Sequence, residues 1–517
     1  MSRLRAFART YALSTLAGVM YFLSWIGFGL WPLAFFCFVP FLWSIQGDTP
    51  RQALKKGLWF GLVTHMGGYT WLVHLFTVFA FFPLPLALVG YVGVCAFQGA
   101  ILGVFAYVLQ HARQRSNWPL VVLLPIALCA TEWLYPLLFQ SYTGVALYPL
   151  LPVVQVADLG GVLLLSAVQA IVNGAFADSL LWNQARAAGT AKGRAPLGSA
   201  TISLLVLGLS IGYGTLRIRA VDAEQKAAEK MKVGIAQPNV GELELHQNPQ
   251  ASVKTLLDQT AELSGRGAEL VVWPEVGFNT RPIDTVMPDA GEWIRRGIPV
   301  RLVAGAMRYA PMSKGPRKHD VWNSALMIDL DGKITGSYDK QALLAFGEYI
   351  PLGETFPILY QWSPMSAPLS RGTTQAPLVA GKYRLATFIC YEDILPGIVN
   401  KLMAEGPGGR PHVLVNLTND SWYGAGNEQE QHLVLAAIRS IEHRRWLVRS
   451  TSTGISAFVD AAGRILQRIG KDERAVMVRD VPMLTGTTVY EALGDWPGYL
   501  AVVALVSVFL RARRRLA

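Results

Sequence analysis

Apolar residues along this chain follow two different regimes. Up to about Gly214 they form long, nearly unbroken runs, near 11–27, 29–46, 57–80, 84–109, 118–138, 160–182 and 198–216, and one more lies near 497–510. A helix needs roughly 20 residues to cross the hydrocarbon core of a bilayer, so the pattern predicts about eight spans, of which the second and eighth are short. From Met231 onward the runs shorten and alternate with polar stretches. Segments 231–237, 269–273, 300–307, 323–329, 383–389, 412–417, 446–451 and 455–460 read as strands, and 249–265 and 428–443 as helices with apolar residues at helical spacing. Nearly continuous apolar strands between helices predict sheets covered on their faces, an α/β or layered α+β domain. The stretch 362–382, rich in Pro, Ser, Gly and Thr, reads as a long loop, and no internal repeat of fixed period is present.

Composition sharpens this division. Hydrophobic residues make up 52% of the 517 and charged residues 16%, against roughly 25% charged in an average soluble protein. The formal net charge is +11, which would suit a nucleic-acid ligand if the cations shared a face. Many of them instead cluster between apolar runs, at Arg3/Arg5/Arg9, Arg51/Lys55/Lys56, Arg113/Arg115, Arg186/Lys192/Arg194 and Arg511/Arg513/Arg514/Arg515. The alternate loops Gly27–Gly29, Phe81–Pro85 and Leu138–Leu159 contain no Lys or Arg. That asymmetry is the positive-inside pattern and not a phosphate-binding surface. With a cytoplasmic N-terminus, both ends lie inside and the stretch 217–496 lies outside. The expected division is 1–216 as a helical membrane domain, 217–496 as a periplasmic domain, and 497–517 as a last helix with a basic cytoplasmic tail. The first apolar run has no small-residue cleavage pattern after it and reads as a retained anchor.

Cysteine usage points to chemistry. Cys37, Cys95 and Cys129 fall within predicted spans, where a thiol behaves as a small apolar group. Cys390 stands alone in the exported domain, without a disulfide partner in an oxidising compartment. It ends the strand of RLATFICYEDILPGI, and Glu275 follows the strand in ELVVWPEVGF. Lys340 and Glu348 share the segment YDKQALLAFGEYIPLGE. Alone, a Cys closing an apolar strand is more often core, a Glu after Trp-Pro a solvated carboxylate, and a Lys on a polar segment plain surface. Together they supply what thiol acyl transfer requires. A thiol with a pKa of about 8.5 must become a thiolate, a carboxylate can accept its proton, and an ammonium with the Tyr391 N–H can hold an oxyanion. The domain's histidines, His246, His319, His412, His432 and His443, lack metal-ligand spacing, so no metal and no cofactor is expected.

These residues carry a resemblance. Residues 231–480 resemble the carbon–nitrogen hydrolase (nitrilase) superfamily, through WPE at 273–275, the Lys340 segment and CYE at 390–392. FGEYIPLGE at 346–354, NLTNDSWYG at 416–424, the stretch 431–454 and the eight-span frame are similar to its membrane branch, the apolipoprotein N-acyltransferases. The resemblance implies an αββα sandwich and a Glu275–Lys340–Cys390 triad. Cys390 would be the nucleophile, Glu275 the general base and Lys340 the oxyanion-stabilising cation. Glu348 would orient Lys340 or the incoming amine, while Tyr391 and Glu392 flank the nucleophile, Glu392 in substrate handling. It further implies a phospholipid acyl donor, phosphatidylethanolamine, and a diacylated apolipoprotein acceptor at the inner membrane, with no nucleic acid involved. Two positions depart from the family pattern: Ala345 stands where Pro is usual, and the Leu245–His246 region replaces a Trp. The competing readings are a membrane-anchored amidase using water, an acyltransferase with another acceptor, and a transporter or sorting scaffold. Against the last, only Glu132 and Asp178 lie near or within predicted spans.

Overall fold

The computed structural model describes residues 2–79, 81–191, 195–284, 287, 289–311, 319–345, 347–350, 353, 355–356, 358, 369–404, 406, 409–424 and 426–514. Lys192, Arg194, Arg515, Phe346, Pro351, Leu352, Glu354, residues 362–368 of the long loop and the His246 side chain lie outside that description.

The first half is helical: α1 (Ser2–Leu23), α2 (Val39–Ser44), α3 (Pro50–Gly68), α4 (Trp71–His74), α5 (Leu84–Arg113), α6 (Leu120–Leu134), α7 (Leu151–Val154), α8 (Ala157–Ala187) and α9 (Leu197–Ala227). Among the described residues three of these, α5, α8 and α9, are long and apolar enough to cross a membrane. The segment 29–46 is not one helix, contrary to expectation. It is a 3-10 turn, Trp31–Phe35, followed by α2, with a proline in the first turn of each. Proline suits a first turn but interrupts a helix interior, because it lacks the N–H and crowds the carbonyl four residues back. The expected 57–80 helix is also displaced. Helix α3 begins at Pro50 behind a Thr49–Gln52 capping box and stops at Gly68. Helix α9 runs without a break past 216 to Ala227, three residues before the first strand.

Helices α3 and α5 meet backbone to backbone. Gly57 and Gly61 of α3 face Gly99 and Gly103 of α5, and a Cβ on Gly61 would lie 1.9 Å from the Gly99 carbonyl oxygen. This is the small-residue approach that membrane helices use when no hydrophobic effect drives them together. Two carboxylates in this half, Asp178 and Glu132, serve the backbone. Asp178 accepts from Leu120 N at 2.9 Å and Val121 N at 3.1 Å, capping α6, and Glu132 accepts from Thr143 N at 2.8 Å.

The second half is built on two sheets. Its strands are β1 (Lys230–Gln237), β2 (Leu270–Val272), β3 (Phe278–Ile283), β4 (Arg301–Pro311), β5 (His319–Ile328), β6 (Ile334–Asp339), β7 (Leu378–Ala380), β8 (Tyr383–Ile389), β9 (Val413–Thr418), β10 (Leu447–Thr451), β11 (Ser456–Val459), β12 (Ile465–Ile469) and β13 (Ala475–Pro482). One sheet has the order β13-β1-β2-β4-β5-β6, with β3 beside β4, and the other β12-β11-β10-β9-β8-β7. Val233, Ile235, Val272, Val303 and Met327 from the first sheet pack against Leu385, Phe388, Leu414 and Leu417 from the second. The remaining helices are α10 (Glu242–Gln247), α11 (Pro249–Gly265), α12 (Ala290–Arg295), α13 (Pro396–Met403), α14 (Glu428–His443), α15 (Val489–Leu493) and α16 (Trp496–Arg514). Val253, Leu256 and Leu263 of α11 cover the outer face of the first sheet. Helices α13 and α14 cover the second, completing an αββα sandwich. Part of the expected loop 362–382 is strand β7, since Leu378–Ala380 pairs with Tyr383–Leu385 across a turn at Gly381.

Helix α14 belongs to both halves. Leu433, Ala436 and Ala437 pack into the sandwich, while Ile438 and Ile441 pack against Val154, Val162 and Leu165 of α7 and α8. Past its end, Arg444 donates to Asp158 Oδ2 at 2.7 and 2.9 Å and to Gln155 Oε1 at 2.6 Å. Asp158 also accepts from Tyr213 Oη at 2.7 Å and Arg217 Nε at 3.0 Å.

Candidate active site

Three loops at the ends of strands carry the expected residues. Glu275 follows β2 and is placed by Trp273, whose fully buried ring donates from Nε1 to Thr260 Oγ1 at 2.7 Å. Lys340 follows β6, and its N–H donates to the Asn323 carbonyl on β5 at 2.9 Å. Cys390 follows β8, which is held in parallel register to β9 as far as Ile389 opposite Leu417. The backbone then turns sharply, with Cys390 at φ +49°. A side chain in that region is strained and persists only when its surroundings fix it, as nucleophile turns do.

Lys340 and Asn323 sit between two carboxylates. Lys340 Nζ lies 3.0 Å from Glu275 Oε1 and 2.9 Å from Glu348 Oε1. Asn323 Nδ2 donates to the same two oxygens at 2.7 and 2.9 Å, and Glu348 Oε2 accepts from Leu344 N at 2.8 Å. Glu275 Oε2 is buried and has no hydrogen-bond partner among the described residues. That leaves one basic lone pair for a proton. Burial raises the Glu275 carboxyl, opposed by Lys340 and reinforced by Glu348. Lys340 is held well above its ordinary value: burial opposes its charge, but Glu275, Glu348 and Cys390 outweigh it. Cys390, 3% exposed, is pushed well up by burial and then by Glu275, which together exceed the pull of Lys340. The thiol in this setting is therefore not a preformed thiolate.

Glu392 is fully buried and brackets two segments. Its Oε1 accepts from Gln341 N at 2.6 Å and Ala342 N at 3.0 Å; its Oε2 accepts from Tyr338 Oη and Ile389 N, both at 2.8 Å. The carboxylate thus ties the chain flanking Lys340 to the residue before Cys390. Burial pushes it up to about 7 against those donors. Tyr391 points the other way, toward the helices, and donates from Oη to the Leu138 carbonyl at 2.7 Å. Its N–H lies in the first turn of the 3-10 helix Cys390–Ile394, where no intrahelical acceptor exists. The departures stand at Ala345, in an isolated bridge with Tyr349, and at Leu245, which is buried.

Reading along the chain missed two groups. Asn323 was legible only as the first residue of a strand. The other is a buried ionic cluster beside Cys390. Arg449 pairs with Asp393 Oδ2 at 2.5 Å and Asp420 Oδ2 at 3.1 Å, while His432 bonds Asp393 Oδ1 through Nε2 at 2.8 Å and Asp420 Oδ1 through Nδ1 at 2.9 Å. His432 is raised to about 10: burial opposes its charge, but Asp393 and Asp420 prevail. Asp420, Glu428 and His432 come close enough together to suggest metal ligands. An imidazolium donating from both nitrogens has no lone pair for a metal, and Asp420 is already committed to Arg449. The histidine thus has a place at the site, although its sequence context gave none.

A partly open cavity of about 80 Å³ lies next to this cluster, between the sandwich and helices α1, α4 and the 139–146 segment. Tyr391, Tyr423, Trp71, Tyr69 and Phe139 line it, with Glu428 and His432 at its base. The strand-end thiol with a carboxylate and an ammonium nearby, set on an αββα sandwich, is the arrangement of a carbon–nitrogen hydrolase fold.

Residues 232–489 match the carbon–nitrogen hydrolase family, and residues 17–175 match the apolipoprotein N-acyltransferase N-terminal domain. The chain is 30% identical to the apolipoprotein N-acyltransferase of Azotobacter vinelandii, over 97% of this chain and 95% of that one. It is 27% identical to that of Geobacter metallireducens, over 98% and 96%. An amidase from Nesterenkonia sp. is 22% identical, covering 49% of this chain and 91% of its own, with a TM-score of 0.37. The chain belongs to the apolipoprotein N-acyltransferase family. It is an enzyme that transfers an acyl group from a phospholipid to the amino group of a lipoprotein during lipoprotein maturation.

Proposed function

We propose that the transfer proceeds in two half-reactions through a thioester on Cys390. Glu275 Oε2 takes the thiol proton as sulfur attacks the ester carbonyl of the donor. The oxyanion is held by Lys340 Nζ and the Tyr391 N–H. On collapse the C–O bond breaks, and the lysophospholipid leaves with the proton from Glu275. The α-amino group of the S-diacylglyceryl-cysteine then attacks the thioester, Glu275 accepts a proton from nitrogen, and the C–S bond breaks to free the thiolate, which is reprotonated. Glu348 and Asn323 hold Lys340 and Glu275 in place. The observation that carries this reading is the unpartnered, buried Glu275 Oε2 in a cluster with Lys340 beside Cys390.

The donor in this reading is phosphatidylethanolamine and the acceptor a diacylated apolipoprotein. The chain crosses the inner membrane eight times, α3, α6 and the 29–46 segment included, with 1–216 and 497–517 as membrane and tail regions and 217–496 in the periplasm. The distribution of Lys and Arg between apolar runs supports that orientation.

Intact mass spectrometry after incubation with phosphatidylethanolamine tests the proposal. A fatty-acyl increment on wild type, absent from Cys390→Ala and cleared by a diacylated lipopeptide as triacylated product forms, is the expected result. An adduct that decays in water regardless of lipopeptide would make the enzyme a hydrolase under these conditions. No adduct on turning-over enzyme would refute the covalent route.

A further inference from the structure

The chamber beside Tyr391 has a polar wall as well as an aromatic one. Four of its lining side chains carry a buried polar atom with no hydrogen-bond partner among the described residues: Trp71 Nε1, Gln140 Oε1, Glu428 Oε2 and Gln431 Nε2. Buried polar atoms are nearly always paired, so four at one cavity mark a surface that a polar ligand completes. Two are acceptors and two are donors. Around them, Trp71 meets Tyr423 edge-on at 4.9 Å and Phe139 at 5.2 Å, an aromatic enclosure of the kind that attracts organic cations.

Charge identifies what the acceptors want. The cluster at the base of the chamber holds three carboxylates, Asp393, Asp420 and Glu428, against two cations, His432 and Arg449. Both cations are engaged by Asp393 and Asp420 at 2.5–3.1 Å. Glu428, which lines the chamber, has a 3.6 Å approach of its Oε1 to His432 Nδ1, and its Oε2 has no hydrogen-bond partner among the described residues. Burial pushes its carboxyl well up, more than the charge of His432 pulls it down. Left alone, the Glu428 carboxyl therefore keeps its proton; a cation entering the chamber favours the ionised form and pairs with it. The cation is an organic one, because the histidine has no free lone pair to bind a metal.

We infer that Glu428 Oε2 and Gln140 Oε1 bind a primary ammonium in this chamber, while Trp71 Nε1 and Gln431 Nε2 receive an oxygen of the same ligand. The inference rests on the two-half-reaction reading above and adds a recognition site to it. Both substrates of that reading carry this chemistry. The donor has an ethanolamine ammonium next to a phosphate, and the acceptor an α-ammonium next to a peptide carbonyl.

The test is Glu428→Gln, which keeps shape and one acceptor but removes the charge. Two quantities are read on purified full-length enzyme: the rate of acyl-enzyme formation from phosphatidylethanolamine against phosphatidylglycerol, and the KM for a diacylated lipopeptide. Loss of one charge-assisted contact predicts a change of about tenfold. A tenfold fall in the ethanolamine preference places the donor head group here; a tenfold rise in lipopeptide KM with unchanged acylation places the acceptor. Gln140→Leu, on a different segment, is expected to act in the same direction and serves if the first variant does not fold. Unchanged ratios and KM, or an equal decline with every substrate, overturn the inference. Wild-type enzyme that turns over without an acyl adduct would instead overturn the reading beneath it, an outcome visible before any variant is compared.

Discussion

Replacing Asn323 with Ala removes a side-chain amide that bonds two carboxylates at once, at 2.7 and 2.9 Å. The main-chain bond from Lys340 N to the Asn323 carbonyl survives, so the strand stays in place. A hydrogen bond to a charged group contributes about 1.5–3 kcal/mol. The bond to Glu275 favours its ionised form, so its loss raises the carboxyl further, by about 1–2 pH units at 1.36 kcal/mol per unit. Glu275 is already raised by burial, so the acid limb of acyl-enzyme formation lies above the usual carboxylate range in wild type. In the variant that limb moves to higher pH still. The base is lost as pH falls through its pKa, and on that limb the rate drops by about 10- to 100-fold at fixed pH, because one unit is a factor of ten. Raising the pH restores it. The assay is single-turnover acylation followed by intact mass across a pH series. A rate reduced by the same factor at every pH, or an acid limb that does not move, would refute the claim that Asn323 tunes the base.

Glu275→Gln is expected to abolish acyl-enzyme formation while leaving lipid binding in place; intact mass and co-purified lipid check the two halves separately. Arg449→Met strands Asp393 and Asp420 without their buried counter-charge, and breaking such a pair costs about 3–5 kcal/mol. A thermal melt in detergent is expected to fall accordingly, and an unchanged melt would mean His432 alone neutralises both. Gly61→Leu forces a side chain where even a Cβ would sit 1.9 Å from the Gly99 oxygen. Overpacking of this kind costs about 1–3 kcal/mol or more, and lower yield of folded, detergent-stable protein is the measurement.

Much of this architecture was legible along the chain because it depends on local periodicity. Helices 249–265 and 428–443 appear with those bounds, and every expected strand is present within a few residues. Strands β3, β6, β7, β12 and β13 were missed, β7 because it has three residues and the others because they are partly exposed and carry polar residues. The prolines at 32 and 40 broke the segment 29–46, where average hydrophobicity said nothing about the backbone. Gly57, Gly61, Gly99 and Gly103 form a G-x-x-x-G on each of two helices, a signal that acquires meaning only once the helices are known to touch. At the site, Glu275, Lys340, Glu348 and Cys390 were readable because each closes or follows a strand in a distinctive context. Asn323, Asp393 and Arg449 were not, since an amide or a charge inside an apolar strand, or an acid in the turn after one, looks like an irregularity until its partner arrives from 29–56 residues away.

Helix α14 sets a limit on modularity. In this chain the outermost helix of the sandwich keeps Ile438 and Ile441 for the membrane helices, and Arg444 after it is matched to an aspartate on the other side. Cutting the sandwich loose would leave an oily stripe and an orphaned guanidinium facing water. A water-soluble version would need that face repainted with polar residues before its catalysis could be assayed. Grafting a soluble homologue onto these helices would meet the same mismatch from the opposite direction.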